Sequence, residues 1–366
     1  MNEPIKRVFG QRLMISRDDI NEARLDDGGT APDLQDGQAL FKISRVALTA
    51  NNVTYAAAGD MMGYWRFFPM PEGYGGLPVW GYADCVATRA KSVEEGERVY
   101  GYWPLGEMLL VEVDDAGPHG FSDPSKHRQG LSPVYNRYDR VDDDADADHE
   151  NITALFRPLF TTGWLIAQQM YGASHYGAKQ VIMSSASSKT AIGAAWSYRD
   201  KDAAERPEVI GLTSPGNVGF CEKLDIYDRV LTYADVGEIP NDIPTAYVDF
   251  AGNKALRMAV HERFGPRLGY SMAVGMTHWT DTQSDADVPP PEAKMFFAPN
   301  VMESEQQRLG HEGFREAMGT AWKAFASFAR PHTEIEVISD MDASKSAYEK
   351  IARGEVTGAT SLIITP

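Results

Sequence analysis

Residues 180–196 read QVIMSSASSKTAIGAAW: a short apolar run, a turn of small polar residues, and a stretch with helical character. Two further apolar runs follow, EVIGL at 208–212 and RVLTY at 229–233, with a predicted helix at 218–224 between them. Strands that alternate with helices in this way are typical of a parallel sheet covered by helices on both faces. The middle of the chain is therefore predicted to be a doubly wound domain of the nucleotide-binding type.

The same alternation continues toward the carboxyl terminus. TAYVDF at 245–250 and LGYSMAV at 268–274 are predicted strands, and a helix is predicted at 253–264 between them. A proline-rich connector leads to a helix at 303–328 and to two last strands, EIEVI from Glu334 and the closing SLIITP. These last two strands could complete either domain.

The amino-terminal part has a different pattern. Ala39, Phe41 and Ile43 alternate with polar residues at the strand period, and short apolar runs separated by Gly and Pro continue to Gly106. This part is predicted to be a compact, mostly β domain. The acidic run DDDADADHE at 142–150 could hold a hard cation, but we interpret it as a solvated loop whose last acids precede a helix.

The composition fits a globular chain of two domains. The 366 residues are 43% hydrophobic and 24% charged, and 52 Asp and Glu against 35 Lys and Arg give a formal net charge of -17. This charge disfavours nucleic acid and anionic membrane surfaces as partners. Two cysteines, Cys85 and Cys221, cannot build a disulfide framework, and neither a signal peptide nor a membrane span is recognisable. We expect a cytoplasmic protein.

The turn after QVIM is where doubly wound folds bring backbone N–H groups at a helix N-terminus to a pyrophosphate. Small residues stand where glycines are usual, their hydroxyls add donors, and a lysine adds positive charge. A P-loop is a weaker alternative, because Met183 and Ser188 replace its two glycines, and an ordinary serine-capped turn is another. The candidate cofactor residues here are Ser184, Ser185, Ser187, Ser188, Lys189 and Thr190.

The end of the second strand favours NADP over NAD. NAD-specific domains place Asp or Glu there to bind the ribose hydroxyls, whereas this strand ends GLTSPGN with no carboxylate before Glu222. Ser214 and Asn217 can donate hydrogen bonds to a 2′-phosphate, although a turn chosen only for its Pro-Gly chemistry remains an alternative. Further candidate cofactor contacts are Thr213, Tyr233 and Gly275.

Six short motifs spread over nearly the whole chain carry a family resemblance. They are LTANNVTY (48–55), EEGERVYGYWP (94–104), VIGLTSPGNVGFCEKLDIYDRVLTY (209–233), YVDFAGN (247–253), LGYSMAVG (268–275) and GATSLIITP (358–366). With the order of β domain, nucleotide-binding domain and returning carboxyl-terminal segment, they resemble the zinc-independent quinone and enoyl reductases of the medium-chain dehydrogenase/reductase superfamily. In this chain the usual A-x-x-G-x-x-G loop has become ASSKTA.

The resemblance implies an α/β fold with a GroES-like β-rich domain and a Rossmann domain with a doubly wound parallel sheet. The GroES-like domain would take residues 1–150, the Rossmann domain 151–284, and a return segment at 285–366 would complete both. The resemblance also implies NADP(H) as cofactor, a small-molecule substrate and a homodimer.

No metal site is predicted. The Gly-His-Glu step of the zinc-dependent branch is absent where VWGYADCV stands, and the eight histidines are scattered. Cys85 has no partner that would complete a ligand set, so we interpret it as a small core residue.

Without a metal, hydride transfer to a carbonyl or a conjugated alkene needs hydrogen-bond donors aimed at the developing oxyanion. The resemblance places Asn51, Asn52, Thr54 and Tyr55 at the floor of the substrate cleft, where Tyr55 could also deliver a proton. Because neighbouring strand residues face opposite sides, only one asparagine is expected to point into the site. The alternative is that the asparagines form a turn after a strand and Tyr55 fills the core.

A second candidate proton donor is His278, in the THW that follows LGYSMAV, although it could be a loop histidine without function. Tyr64, Trp65 and Trp279 are candidates for an apolar substrate pocket, with packing of the β-domain core as the alternative for the first two. The sequence thus favours an NADPH-dependent reductase of an enone, quinone, enoyl thioester or related carbonyl compound. The alternatives are a non-catalytic NADP-binding sensor or scaffold and, more weakly, a nucleoside-triphosphate enzyme.

Overall fold

The computed structural model describes residues 7–141, 146–199, 206–274, 287–355 and 360–366. The chain divides into two compact units. Unit 1 comprises Met1–Leu155, Glu334–Val356 and Thr360–Pro366, and unit 2 comprises Phe156–Thr333 and Thr357–Ala359.

Strands and helices follow one another along the described chain, with short 3-10 turns between them. The strands are β1 (Val8–Ser16), β2 (Ala23–Asp27), β3 (Gln38–Leu48), β4 (Tyr74–Gly76), β5 (Pro78–Thr88), β6 (Arg98–Pro104), β7 (Gly106–Glu112), β8 (Asp114–Gly117), β9 (Gly120–Ser122), β10 (Arg137–Arg140), β11 (Gln180–Met183), β12 (Glu208–Thr213), β13 (Arg229–Thr232), β14 (Thr245–Asp249), β15 (Leu268–Ala273), β16 (Lys294–Met295), β17 (Glu334–Ile338) and β18 (Thr360–Ile364). The helices are α1 (Ala50–Ala57), α2 (Ala147–Gly172), α3 (Lys189–Arg199), α4 (Val218–Lys223), α5 (Lys254–Phe264), α6 (Ala298–Ala329) and α7 (Met341–Ala352).

Unit 1 is built on a mostly antiparallel sheet. Its strand order is β2-β1-β7-β3-β5-β6-β10-β9-β8, with β4 paired to β1. The alternation read from the sequence is real, because Phe41 and Ile43 of β3 are fully buried while Lys42 between them is exposed. The prediction of a β-rich amino-terminal domain is confirmed.

The carboxyl-terminal strands complete unit 1. Leu362, Ile363 and Ile364 of β18 pair antiparallel with the end of β3, and β17 pairs parallel with β18. Helix α7 packs against β1, β2 and α1. The sequence left the destination of these strands open, since an apolar run does not specify the edge that it joins.

Unit 2 contains a parallel sheet in the order β13-β12-β11-β14-β15-β16. Numbered from its own first strand, this is the 3-2-1-4-5-6 order of the Rossmann fold. The strands are apolar because both faces are covered, and Val181, Ile182 and Met183 of β11 are fully buried. The prediction of a doubly wound sheet is confirmed.

Aromatic rings and glycines bring the helices of unit 2 together. Phe160 of α2 packs against Trp196 of α3 and against Phe325 of α6, with ring centroids 5.9 and 4.4 Å apart. A Cβ atom on Gly163 would lie 2.5 Å from the carbonyl oxygen of Thr190. Glycine is therefore required where α2 crosses the amino end of α3, and this contact positions the turn that precedes α3.

The prediction for the segment LTANNVTY is wrong. The sequence predicts a strand end followed by a turn, but residues 50–57 form the helix α1. The backbone N–H of Thr49 donates to Oδ1 of Asn52 at 2.6 Å, which starts the helix with a local cap. Consequently, Asn51 and Asn52 do not face opposite sides of a strand.

The end of the acidic run is part of a packed ion network in unit 1. Residues 142–145 lie outside the described part. Glu150, in the first turn of α2, is buried and accepts hydrogen bonds from Nε and Nη2 of Arg98 at 2.6 and 2.8 Å. Arg45 adds a second ion pair to Glu150 at 3.2 Å. The last acid of the run therefore anchors a helix to the sheet.

Candidate functional site

The carboxyl ends of β11 and β14 carry a network built on a buried carboxylate. Oδ2 of Asp249, a fully buried residue, pairs with Nε of Arg257 at 3.0 Å. Its Oδ1 accepts a hydrogen bond from Oγ of Ser184 at 2.8 Å, and from the backbone N–H groups of Ala251 and Gly252 at 3.1 and 3.0 Å. Strand order reverses between these two strands, which is where open α/β sheets bind ligands.

Residues 184–188, between β11 and α3, form what we call the serine turn. Ser185 has a left-handed backbone with a φ of 50°, and its hydroxyl and N–H are hydrogen-bonded to Tyr233. The Tyr227 hydroxyl donates to the carbonyl oxygen of Ala186 at 2.8 Å. Two tyrosines that flank β13 therefore hold a turn that glycines usually form.

The second half of the serine turn meets the end of β12 and the start of α3. The Thr213 hydroxyl donates to Oγ of Ser187 at 3.4 Å. Oγ of Ser188 accepts from the backbone N–H of Ala191 at 3.3 Å, which caps α3. The predicted cofactor residues on β11, β12 and β13 thus meet at one edge of the sheet.

A glycine in β12 permits the close approach of the serine turn. A Cβ atom on Gly211 would lie 2.9 Å from Cβ of Ala186 and 2.9 Å from the ring of Tyr227. The serine turn itself contains no glycine, and the space that it needs is instead provided by Gly211 in the neighbouring strand β12.

Lys189 is the first residue of α3 and follows directly on the serine turn. Its Nζ lies 5.4 Å from the ring centroid of Phe156, and burial lowers the pKa of Lys189 to about 8 because the charged amine loses hydration. Within the described ranges, no carboxylate forms an ion pair with Lys189. The partly buried Thr190 follows it in the same turn. An amine in this state gains stability when an anion binds beside it.

The turn after β12 brings together the residues predicted to meet a 2′-phosphate. Nδ2 of Asn217 donates to Oγ of Ser214 at 3.0 Å, and both side chains are partly exposed. Thr213 before them is buried. Their hydroxyl and amide groups lie at the carboxyl end of the sheet, beside the serine turn that Thr213 contacts.

Unit 1 contains a group of packed phenol rings, Tyr55, Tyr64, Tyr102 and Tyr135, which we call the tyrosine cluster. The Tyr55 ring lies 4.7 Å from that of Tyr64 and 5.5 Å from that of Tyr102, and Tyr135 lies 4.7 Å from Tyr102. Burial raises the pKa of Tyr55 above its ordinary value, and hydrogen bonds from Trp80, Asn51 and Tyr135 act in the opposite direction. Tyr55 therefore stays a protonated phenol at neutral pH.

The other predicted residues of α1 differ in their surroundings. Asn51 lies one helical turn before Tyr55 on the same helix face and hydrogen-bonds to it. Asn52 is buried, and its Nδ2 donates to the carbonyl oxygen of Pro78 at 2.7 Å. Thr54 is partly buried. The structure thus joins Asn51 to Tyr55 and gives Asn52 a role in holding α1.

Of the predicted pocket residues, one belongs to the tyrosine cluster and another is buried in the core. Tyr64 belongs to the tyrosine cluster, and its hydroxyl lies 3.4 Å from that of Tyr135. Trp65 is buried in the core against the backbone of Gly59 and Gly75, where added Cβ atoms would lie 2.1 and 2.2 Å from its ring. The remaining predicted site residues lie outside the described part of the chain; they are Gly275, His278 and Trp279.

Sequence reasoning missed several residues that the structure brings to these two regions, among them Trp80, Tyr135, Asp249 and Arg257. Trp80 and Tyr135 reach Tyr55 from β5 and from a 3-10 turn at Pro133–Asn136. Asp249 and Arg257 form the buried pair behind the serine turn. The YVDF motif contains Asp249 and was a usable signal, because a carboxylate that ends a buried strand needs partners.

The described residues provide neither a cluster of metal ligands nor a membrane-spanning helix. Among them, no group of three or more His, Cys, Asp or Glu side chains is arranged to hold a metal ion. No helix in the described part combines the length and the apolar character needed to cross a membrane. Cys85 is buried, and burial raises the pKa of its thiol to about 11, which fits a core residue.

The chain belongs to the family described as protein of unknown function (DUF2855), which matches residues 46–357. No curated protein matches the chain in a sequence comparison.

Several solved structures share the fold. The CurA protein from Vibrio vulnificus, solved in complex with NADPH, superposes with a TM-score of 0.63 at 12% identity, covering 97% of this chain and 99% of that one. A putative NADPH:quinone reductase from Mesorhizobium loti gives 0.59 at 13% identity with both chains fully covered. The CurK enoyl reductase gives 0.55 at 13% identity, covering 97% and 98%. The chain therefore shares the fold of these proteins over nearly its whole length, and the predicted combination of a β-rich unit with a Rossmann-order parallel sheet is confirmed.

Proposed function

We propose that this protein is an NADPH-dependent oxidoreductase that reduces an enone, a quinone, an enoyl thioester or a related carbonyl compound without a metal. The observation that carries the proposal is the serine turn, which leads into Lys189 at the carboxyl edge of a Rossmann-order sheet. The similar structures that were solved with NADPH, or that are described as NADPH:quinone reductases, support it at the level of the fold.

The residues around the serine turn fit a dinucleotide. The N-terminal N–H groups of α3 point to the carboxyl edge, where a pyrophosphate binds in this type of domain. Lys189, which has no ion-pair partner among the described residues, offers the positive charge. Gly211 leaves room for the turn, and Ser185 is held in its left-handed conformation by Tyr233. The site is thus already shaped before a ligand binds.

Selectivity for NADPH is assigned to the turn after β12. Ser214 and Asn217 present a hydroxyl and an amide, and neither would repel a 2′-phosphate. A carboxylate at this position binds the free ribose hydroxyls of NAD. Its absence favours the phosphorylated cofactor.

Tyr55 is the proposed proton donor. NADPH, when bound, supplies the hydride. Tyr55 holds its proton at neutral pH because burial raises the pKa of Tyr55, and its oxygen accepts a hydrogen bond from Nε1 of Trp80 at 3.1 Å. The phenol can therefore donate to the oxygen or carbon that becomes electron-rich during reduction.

Binding and turnover test the proposal separately. Calorimetric titration should show NADPH binding more tightly than NADH, and equal affinities would contradict the assigned selectivity. Loss of NADPH absorbance is then followed with methyl vinyl ketone, menadione and crotonyl-CoA, with protein lacking substrate as the control. Tight binding without turnover of any of the three would favour a non-catalytic NADP-binding sensor instead. Absence of binding to either dinucleotide would overturn both functions.

A further inference from the structure

The segment VWGYADCV, which replaces the zinc-ligand step of related dehydrogenases, places an indole beside the proposed proton donor. Trp80 lies in β5 opposite Tyr102 of β6. Its ring centroid is 5.0 Å from that of Tyr102 and 5.8 Å from that of Tyr135, so two rings of the tyrosine cluster hold the indole in place. Packing against these rings therefore fixes the orientation of the indole.

Nε1 of Trp80 donates a hydrogen bond to the Tyr55 oxygen at 3.1 Å. The side chains of Asn51 and Tyr135 lie within reach of the same oxygen and, like Trp80, lower the pKa of Tyr55. An indole N–H can only donate, so Trp80 occupies an acceptor position of the phenol oxygen and leaves the phenol proton for another group.

We infer that Trp80 is a positioning residue, whose N–H directs the Tyr55 proton toward the substrate and stabilises the phenolate that proton donation leaves behind. This inference rests on the proposed function, in which Tyr55 is the acid. Tyr135 reaches the same oxygen of Tyr55 from a different part of the chain, the 3-10 turn at Pro133–Asn136, and also lowers the pKa of Tyr55.

The proton step balances without a metal. When a hydride adds to the β carbon of an enone, the electron pair of the alkene moves into an enolate. The O–H bond of Tyr55 then breaks, its proton forms the new C–H bond at the α carbon, and the phenolate regains a proton from water. Trp80 gains and loses no proton, and its hydrogen bond strengthens as the oxygen becomes charged.

The test removes the indole N–H from position 80 in two ways. Benzothienylalanine replaces the N–H with sulfur and keeps the fused ring, whereas Trp80→Phe also makes the ring smaller. With NADPH and methyl vinyl ketone, kcat should fall about tenfold to a hundredfold, as expected for a lost hydrogen bond to a charged group, while KM changes less than about twofold. The solvent isotope effect on kcat should rise, because proton transfer becomes slower.

Trp103→Phe is the matched control. The Trp103 indole donates to the carbonyl oxygen of Gly81 at 3.0 Å in the same sheet, so its removal disturbs packing without touching Tyr55. We expect lower thermal stability and an unchanged solvent isotope effect.

Tyr55→Phe distinguishes a failure of the proposed acid, Tyr55, from a failure of the role inferred for Trp80. If Tyr55→Phe keeps the kcat of the unaltered protein, Tyr55 is not the acid, and the proposed mechanism and the role of Trp80 both fail. If Tyr55→Phe is slow but the benzothienylalanine protein retains both kcat and the isotope effect, only the inference about Trp80 is overturned.

Discussion

The serine turn of unit 2 and the tyrosine cluster of unit 1 hold their functional groups by different forces. The serine turn depends on directional hydrogen bonds, including those from Ser184 to Asp249 and from Thr213 to Ser187. The tyrosine cluster depends on ring packing, with centroids 4.7 to 6.2 Å apart around Tyr55 and Tyr102. A hydrogen-bonded turn should fail when one partner is lost, whereas a packed cluster should tolerate the loss of one hydroxyl.

The largest expected effect is on the stability of the turn. Asp249→Asn removes the charge that pairs with Arg257 in a buried setting, so the free energy of unfolding should fall by about 3 to 5 kcal/mol. Urea unfolding followed by circular dichroism measures the change. Asp225→Asn is the control, because the Arg199–Asp225 pair is exposed and such pairs contribute at most about 1 kcal/mol. Equal effects of the two substitutions would contradict the importance of the buried network.

The tyrosine cluster should show the opposite behaviour. Tyr55→Phe keeps the ring, so the free energy of unfolding should fall by no more than about 1.5 kcal/mol, the contribution of a neutral hydrogen bond. The rate of reduction should fall roughly tenfold to a thousandfold, as for one lost acid or oxyanion donor. Steady-state kinetics and thermal unfolding measure the two quantities. A large loss of stability with unchanged kinetics would make Tyr55 a core residue.

The two asparagines of α1 refine this result. Asn51→Ala should slow the reaction because Asn51 bonds to Tyr55. Asn52→Ala should mainly lower stability, by about 1 to 3 kcal/mol, because it leaves the buried carbonyl of Pro78 without its donor. The reverse pattern would show that the face of α1 has been assigned incorrectly.

The charge of Lys189 should control dinucleotide affinity. Lys189→Met should weaken NADPH binding about tenfold to a hundredfold, since a charge-assisted contact is lost. Lys179→Met, an exposed lysine before the amino end of β11, is the control and should leave the affinity unchanged. Fluorescence titration of NADPH measures both.

The same lysine predicts a pH dependence. Because the pKa of Lys189 is lowered to about 8, the free protein loses this charge as pH rises through 8, while a bound phosphate favours the protonated amine. NADPH affinity should therefore be highest below pH 8 and decline above it. Lys189→Met should remove the decline between about pH 7 and 9.5. A decline that persists in Lys189→Met would assign the titration to another group.

The smallest effect concerns the choice of cofactor. Ser214→Asp places a carboxylate beside the proposed 2′-phosphate position, so the ratio of NADPH to NADH affinity should fall by at least about fivefold, corresponding to roughly 1 kcal/mol of repulsion. Ser214→Ala separates the loss of the hydroxyl from the added charge. An unchanged ratio in Ser214→Asp would place the 2′-phosphate elsewhere.

Prediction from sequence succeeded where structure is local. QVIM is β11 to the residue, and EVIGL forms most of β12. Apolar runs of this length between turn residues are typical of buried strands when they alternate with helices. The prediction failed at α1. Its start depends on a cap between Thr49 and Asn52, and its residues lack the long apolar period by which helices are recognised.

The candidate sites divide in the same way. The serine turn and Lys189 could be named as candidates because the position after the first strand has a known relation to ligands, and their role as cofactor residues stays a prediction. Trp80 and Tyr135 were missed because they meet Tyr55 only through sheet pairing and a distant turn. The homodimer and the cytoplasmic location stay predictions.

Apolar periodicity and turn residues act over a few neighbouring positions, so the β-rich unit and the Rossmann-order sheet with its serine-lined turn could be predicted from short stretches of sequence. The position of Asp249 and Arg257 behind that turn, and the hydrogen bond from Trp80 to Tyr55, are visible only in the folded chain. Those contacts join residues on separate elements, and the energy of a buried hydrogen bond or ion pair depends on surroundings that no short stretch of sequence contains.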